Sequence, residues 1–258
     1  MTPHKTTLNN TPPPLTAIHG WGFNSAIWEE VGDRLKTDYA FHAIDLPGFG
    51  ESPMLEGEYT LSALAEGVIE SLPLPSVLMG WSLGGLVALE AARRCPERVL
   101  ALVMVASAPR FTATDDWPHG VARDVLDAFS ETLARDYKTA LSRFLILQAG
   151  RTDLGRATVK KLKPLLFRYS APDRRALEEG LALLRETDLR GALGTLHQPV
   201  LFILGARDNF LSPTVEPNLR RLRPDCRVAV IEGSAHAPFI SHPTEFLGLL
   251  LPFLRNIH

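Results

Sequence analysis

Residues 77–89 read VLMGWSLGGLVAL: an apolar run, then Gly80-Trp81-Ser82-Leu83-Gly84, then apolar residues at helical spacing. That order calls for a buried strand that turns directly into a helix. Such a turn forces its central residue into a strained backbone conformation that only small neighbours tolerate. Gly80 and Gly84 supply the room. The turn lifts the Ser82 hydroxyl above a sheet edge, beside a helix N-terminus whose unpaired N–H groups favour developing negative charge. Ser82 is therefore the candidate nucleophile.

The rest of the chain repeats the alternation of strand and helix that builds a parallel sheet. Short apolar runs at Leu15–Ile18, Ala40–Ile44, Val77–Met79 and Leu100–Val105 predict strands, with helices over Leu61–Leu72 and Leu86–Arg94 between them. From residue 110 to 187 the pattern turns helical, with segments at Val125–Leu133, Ala140–Gln148 and Arg174–Arg185 and no strand. Strands resume at Val200–Leu204 and Arg227–Ile231, and a helix over Glu245–Leu254 follows. The expected class is α/β, a mostly parallel central sheet flanked by helices. Residues 1–109 and 187–258 form its core, and residues 110–186 form an inserted helical lid.

A serine hydroxyl needs a base, and the base needs an orienting acid. Asp208 follows the strand Val200–Leu204 in the loop Gly205-Ala206-Arg207-Asp208. His236 follows the strand Arg227–Ile231 in Gly233-Ser234-Ala235-His236. Both sit where strand ends present side chains to one edge of a sheet, in the chain order Ser, Asp, His. The other histidines are less suited: His42 lies within a strand, His119 and His197 beside Gly/Pro turns, and His242 before Pro243, where it reads as a helix cap. An oxyanion also needs donors. The glycines of His19-Gly20-Trp21-Gly22 let backbone N–H groups approach a ligand, so the amides of Trp21 and Leu83 are the expected pair. The Trp21 indole is expected to wall the site, and His19 to support the loop. Asp45-Leu46-Pro47-Gly48-Phe49-Gly50 lacks the G-x-G-x-x-G spacing of a phosphate cradle and reads as a structural turn.

Composition narrows the rest. With 258 residues, 45% hydrophobic and 22% charged, the chain can bury a full core, and no apolar run approaches a membrane span. The opening MTPHKTTLNNTPPP lacks the apolar stretch of an export signal, and two cysteines without metal-ligand spacing suit a reducing compartment. The cytoplasm is the expected location. No His/Asp/Glu cluster has a metal-ligand spacing, and no cofactor motif is present. A net charge of −2 and the lack of a binding motif argue against nucleic acid.

Taken together, HGWG, DLPGFGES, GWSLGG, GARD and GSAHAPF resemble the α/β-hydrolase superfamily over nearly the whole chain. Ile18–Gly22, Gly80–Val87, Arg143–Gln148 and Ala235–Pro243 resemble, more closely, its pimeloyl-[acyl-carrier protein] methyl ester esterases. The resemblance implies hydrolysis of a methyl ester on an acyl chain still attached to acyl-carrier protein. It implies Ser82, Asp208 and His236 as catalytic triad. It also implies a substrate-binding set of Trp21, Ser82, Leu83, His236 and the segment Phe144, Leu145, Ile146, Leu147 and Gln148. Relatives often carry an extra strand or hairpin before the HG strand, where this chain has only polar, proline-rich sequence.

The charge distribution suits such a partner. Residues 135–175 hold eleven basic side chains against three acidic ones, a local charge of +8 in a chain of −2. Lys138, Arg143, Arg151, Arg156, Lys160 and Lys161 are the candidate docking residues for an acidic carrier, with the protein acting as a monomer. The catalytic residues alone leave open a general short-chain carboxylesterase, a hydrolase of carbon–carbon bonds, and a non-catalytic receptor.

Overall fold

The structure is a computed structural model that describes residues 12–150 and 152–257. The start of the proline-rich lead-in and the candidate docking residue Arg151 lie outside the described residues. Six strands form one sheet: β1 (Leu15–Ile18), β2 (Phe41–Ile44), β3 (Ser76–Trp81), β4 (Val99–Val105), β5 (Val200–Gly205) and β6 (Arg227–Ile231). Their order is β2-β1-β3-β4-β5-β6, and every pairing is parallel. Helices flank the sheet: α1 (Glu29–Leu35), α2 (Leu61–Ser71), α3 (Leu83–Arg94), α4 (Arg123–Arg135), α5 (Tyr137–Ala149), α6 (Asp153–Leu166), α7 (Arg174–Glu186), α8 (Arg190–Thr195), α9 (Glu216–Leu222), α10 (Pro238–Ser241) and α11 (Pro243–Leu254).

The central strands are covered on both faces, which is why SVLMGW and VLFILG read as continuous runs instead of alternating. The edge strands β2 and β6 are half-exposed and more mixed in sequence. Their order fixes where the loops meet. β1 pairs with β3, matching Ile18 with Gly80, so the loop after β1 lies beside the serine turn. β5 pairs with β6, matching Gly205 with Ile231, so the Asp208 and His236 loops are neighbours. The order reverses direction between β1 and β3, where open α/β sheets carry their sites.

Helices α4 to α7 lie between β4 and β5 and form the insertion. Three of them turn apolar residues inward: Leu126, Phe129 and Leu133 on α4, Ala140, Leu141, Phe144 and Leu145 on α5, and Leu177, Leu181 and Leu184 on α7. Asp136, Thr152 and Asp173 cap α5, α6 and α7 by accepting first-turn N–H groups. The two ends of the insertion are tied together. Leu189 N–H donates to the Pro109 carbonyl at 2.8 Å, and the Arg110 guanidinium meets the Asp188 carboxylate at 2.6 Å. α3 begins at Leu83, three residues before the expected Leu86, because the helix starts at the serine turn itself. The segments named from sequence did not include α6, whose buried stripe of Gly155, Thr158, Leu162 and Leu166 is partly polar and carries Pro164 in its last turn.

Candidate active site

Ser82 stands between β3 and α3 with φ 55° and ψ −118°, a conformation that strains any residue with a Cβ. A Cβ at Gly80 would overlap the Gly84 carbonyl, and one at Gly84 would lie 2.5 Å from the His19 carbonyl oxygen. Glycine at both positions is thus a condition for the turn. The Ser82 N–H donates to Val105 on β4, and Ser107 Oγ donates to the Ser82 carbonyl at 2.8 Å. The strained residue is held from both sides.

His236 Nε2 lies 3.0 Å from Ser82 Oγ, and His236 Nδ1 lies 2.7 Å from Asp208 Oδ2. The carboxylate fixes the tautomer: Nδ1 carries the proton it gives to Asp208, leaving Nε2 free to accept from Ser82. Asp208 Oδ1 is itself held by the N–H groups of Phe210, at 2.8 Å, and Leu211, at 3.2 Å. His236 is bound by its main chain too, its carbonyl accepting from the Trp81 indole N–H at 2.7 Å and its N–H donating to Gln148 O at 3.1 Å. All three side chains are buried, with Ser82 only 1% exposed. Phe111 and Phe210 set their rings edge-on to the imidazole.

Leu83 follows Ser82 directly as the first residue of α3, and Gly20, just before Trp21, lies close enough that a Cβ on it would sit 3.2 Å from the Ser82 Cβ. The Trp21 indole N–H donates to Leu177 O on α7 at 2.9 Å, and its ring lies 4.7 Å from Phe144. Phe144 also stacks on Phe210 at 4.7 Å, so an aromatic wall runs from the β1 loop to the Asp208 loop. His19 is fully buried, edge-on to the Phe49 ring. Its Nε2 accepts from Leu46 N–H at 3.0 Å, its Nδ1 meets the Gly20 carbonyl, and burial pushes its pKa down to about 4. Asp45 accepts from Ser25 and Glu51 N–H groups, as a structural turn requires.

Of the α5 segment, Phe144, Leu145 and Gln148 face inward, Leu147 is half-buried, and Ile146 is 55% exposed on the outer face. Gln148 is fully buried, and neither polar atom of its amide has a hydrogen-bond partner among the described residues. Four contacts of the site escaped the sequence reading: Trp81, Phe111, Phe210 and Leu177. Only Trp81, inside the pentapeptide, carried a local signal. Among the described residues no cluster of His, Cys, Asp and Glu could hold a metal ion, and no helix is long and apolar enough to cross a membrane.

The lid cations differ in how free they are. Arg156 pairs with Asp153, Lys161 donates to the Ile240 carbonyl, and Arg143 donates to Thr132 Oγ1 at 3.2 Å. Lys138 lies 6.0 Å from the Tyr137 ring, and Lys160 is exposed with no ion pair among the described residues. Beside them runs an open groove of about 700 Å³ lined by Phe129, Ile146, Leu147, Arg143, Arg207 and Asn209.

The profile of the family described as alpha/beta hydrolase fold matches residues 13–243. The chain belongs to the α/β-hydrolase family. Among its relatives, this α/β hydrolase is 44% identical over 243 residues to the pimeloyl-[acyl-carrier protein] methyl ester esterase of Aeromonas hydrophila, covering 94% of this chain and 95% of that one. It is 43% identical over 239 residues to the enzyme of the same name from Sodalis glossinidius, covering 93% and 92%. An esterase structure from Exiguobacterium antarcticum superposes with a TM-score of 0.84 at 24% identity, covering 95% of this chain and 93% of that one, a likeness of fold.

Proposed function

We propose that this α/β hydrolase is a serine carboxylesterase that cleaves the methyl ester of pimeloyl-[acyl-carrier protein], releasing methanol and a free carboxylate in biotin synthesis. The observation that carries the reaction is the two-bond chain from Ser82 Oγ through His236 to Asp208. The substrate follows from the relatives, whose name specifies that ester across nearly the full length of both chains.

In this reading His236 Nε2 takes the Ser82 proton as Ser82 Oγ attacks the ester carbonyl. Asp208 holds the Nδ1–H and stabilises the imidazolium. The Trp21 and Leu83 amides receive the oxyanion, each worth about 3 to 4 kcal/mol in the transition state. His236 then protonates departing methanol and activates the water that hydrolyses the acyl-enzyme. The wall of Trp21, Phe144 and Leu145 takes the methylene chain. Gln148 offers its amide to a polar group of that chain, since a buried unpaired polar group costs about 1 to 3 kcal/mol and a ligand relieves it.

Ser82 is sealed beneath the lid, so the ester reaches it when the lid helices part. Lys138, Arg143, Arg156, Lys160 and Lys161 are the proposed docking face for the acidic carrier, with Arg151 its sequence neighbour. The protein would act as a cytoplasmic monomer. The test is a salt titration comparing carrier-bound pimeloyl methyl ester with a small free ester. The carrier-bound substrate is expected to react faster by about tenfold or more at low salt, and the advantage should fade as salt rises. Charge reversal at Arg143 and Lys160 should lower the ratio of the two rates. No carrier advantage at low salt would overturn the assignment of the partner.

A further inference from the structure

The last carbonyls of a helix have no partner within it and must find one outside. In lid helix α5 two of these are taken by the loops that carry the acid and the base. The Leu147 carbonyl accepts from Asn209 Nδ2 at 2.8 Å, and Asn209 is the residue after Asp208. The Gln148 carbonyl accepts from the main-chain N–H of His236 at 3.1 Å. The two loops are also joined directly, Arg207 N–H donating to Ser234 O at 2.8 Å. Helix α5 stops at this point because Gly150 adopts φ 75°, which turns the chain away and leaves those carbonyls aimed at the sheet edge.

We propose that the C-terminal turn of α5 is a brace that holds the Asp208 and His236 loops in register with Ser82, so that closing the lid completes the triad. Asn209 is the positioning residue that carries the brace on the acid side. The reasoning is one of alternatives. His236 is buried, and among the described residues its N–H has no partner but the Gln148 carbonyl, so a lid that lifts α5 away leaves that donor unpaired or lets the loop move with it. The geometry also sets two helix ends of opposite polarity at the site. The N-terminus of α3 meets Ser82, where negative charge develops, and the C-terminus of α5 meets His236, where positive charge develops. The side-chain hydrogen bond of Asn209 among the described residues goes to α5 and not to Ser82 or His236. It acts through α5.

The inference rests on the serine-hydrolase reading of the site, and the experiment separates the two. The readouts are the second-order rate at which a serine-directed phosphonate labels Ser82, the kcat and KM for a small free ester, and the downfield proton resonance of His236 Nδ1–H. Asn209→Ala removes the donor from an exposed position where folding is not at stake, and Asn209→Asp replaces it with an acceptor of the same size. Gly150→Ala strains the turn from the helix side. In Asn209→Ala the labelling rate and kcat should fall about three- to tenfold with KM unchanged, which is the range of one hydrogen bond. The His236 resonance should shift or broaden. Asn209→Asp and Gly150→Ala should fall at least as far. Variants that label, turn over and resonate as the wild type does would overturn the brace while leaving the hydrolase intact. Wild-type protein that takes up no phosphonate at Ser82 would overturn both.

Discussion

Lowering the pH from 7 to 5 is expected to cost the folded protein about 2 kcal/mol through His19 alone. The residue is fully buried under the loop that carries the Trp21 amide, and burial holds its pKa at about 4 against 6.5 in the unfolded chain. Its hydrogen bonds give the same sign independently. Nε2 accepts from Leu46 N–H, so a proton added there would set one donor against another. The folded state therefore refuses a proton that the unfolded state takes. Stability from this group is intact above about pH 6.5, declines as the pH falls, and levels off below about 4, where the full loss is about 3 kcal/mol. Urea unfolding at a series of pH values measures it. Other groups titrate in the same window, so the informative quantity is the difference between wild type and His19→Gln, whose amide keeps one donor and one acceptor but does not titrate. That difference should change by about 2 kcal/mol between pH 7 and 5. A flat difference would refute the argument, and with it the claim that a neutral His19 supports the oxyanion loop.

Two further outcomes concern the triad. Ser82→Ala is expected to lower turnover by up to about a millionfold and to abolish phosphonate labelling, measured on a small ester; retained wild-type activity would remove Ser82 from the mechanism. Asp208→Asn keeps an oxygen for the Phe210 and Leu211 amides but offers His236 Nδ1 an N–H where it needs an acceptor. Turnover should drop by about ten thousandfold with thermal stability little changed, and a drop of less than tenfold would show that Asp208 does not set the tautomer.

The parts of this site that were legible in the sequence are those set by local pattern. The strands were visible because buried parallel strands must be apolar throughout, and the order of Ser82, Asp208 and His236 followed from loops at successive strand ends. What escaped was long-range. Nothing near Asn209 or Trp81 in the chain announces that one will reach α5 and the other the His236 carbonyl, because those contacts join residues 62 and 155 positions apart. The α5 segment shows the same limit at finer scale. The resemblance implied one substrate-binding role for its five residues, yet helical geometry sends Ile146 outward while Phe144 and Gln148 face in. The basic run likewise gave a net charge but not its division into free and occupied cations. Arg156 and Lys161 have partners nearby, and Lys160 has none among the described residues.

The pinched base of the lid has an evolutionary meaning. Because β4 and β5 are paired neighbours and the chain leaves and re-enters at Pro109 and Leu189 through a direct hydrogen bond, the insertion behaves as a cassette. Its contents could be lengthened, shortened or exchanged without moving any strand, and Ser82 and the amides of Trp21 and Leu83 would stay where β1 and β3 put them. New substrates could then be sampled at little risk to the fold. The brace sets a condition on such exchange: whatever helix replaces α5 must end where it ends, with two carbonyls turned toward the acid and the base.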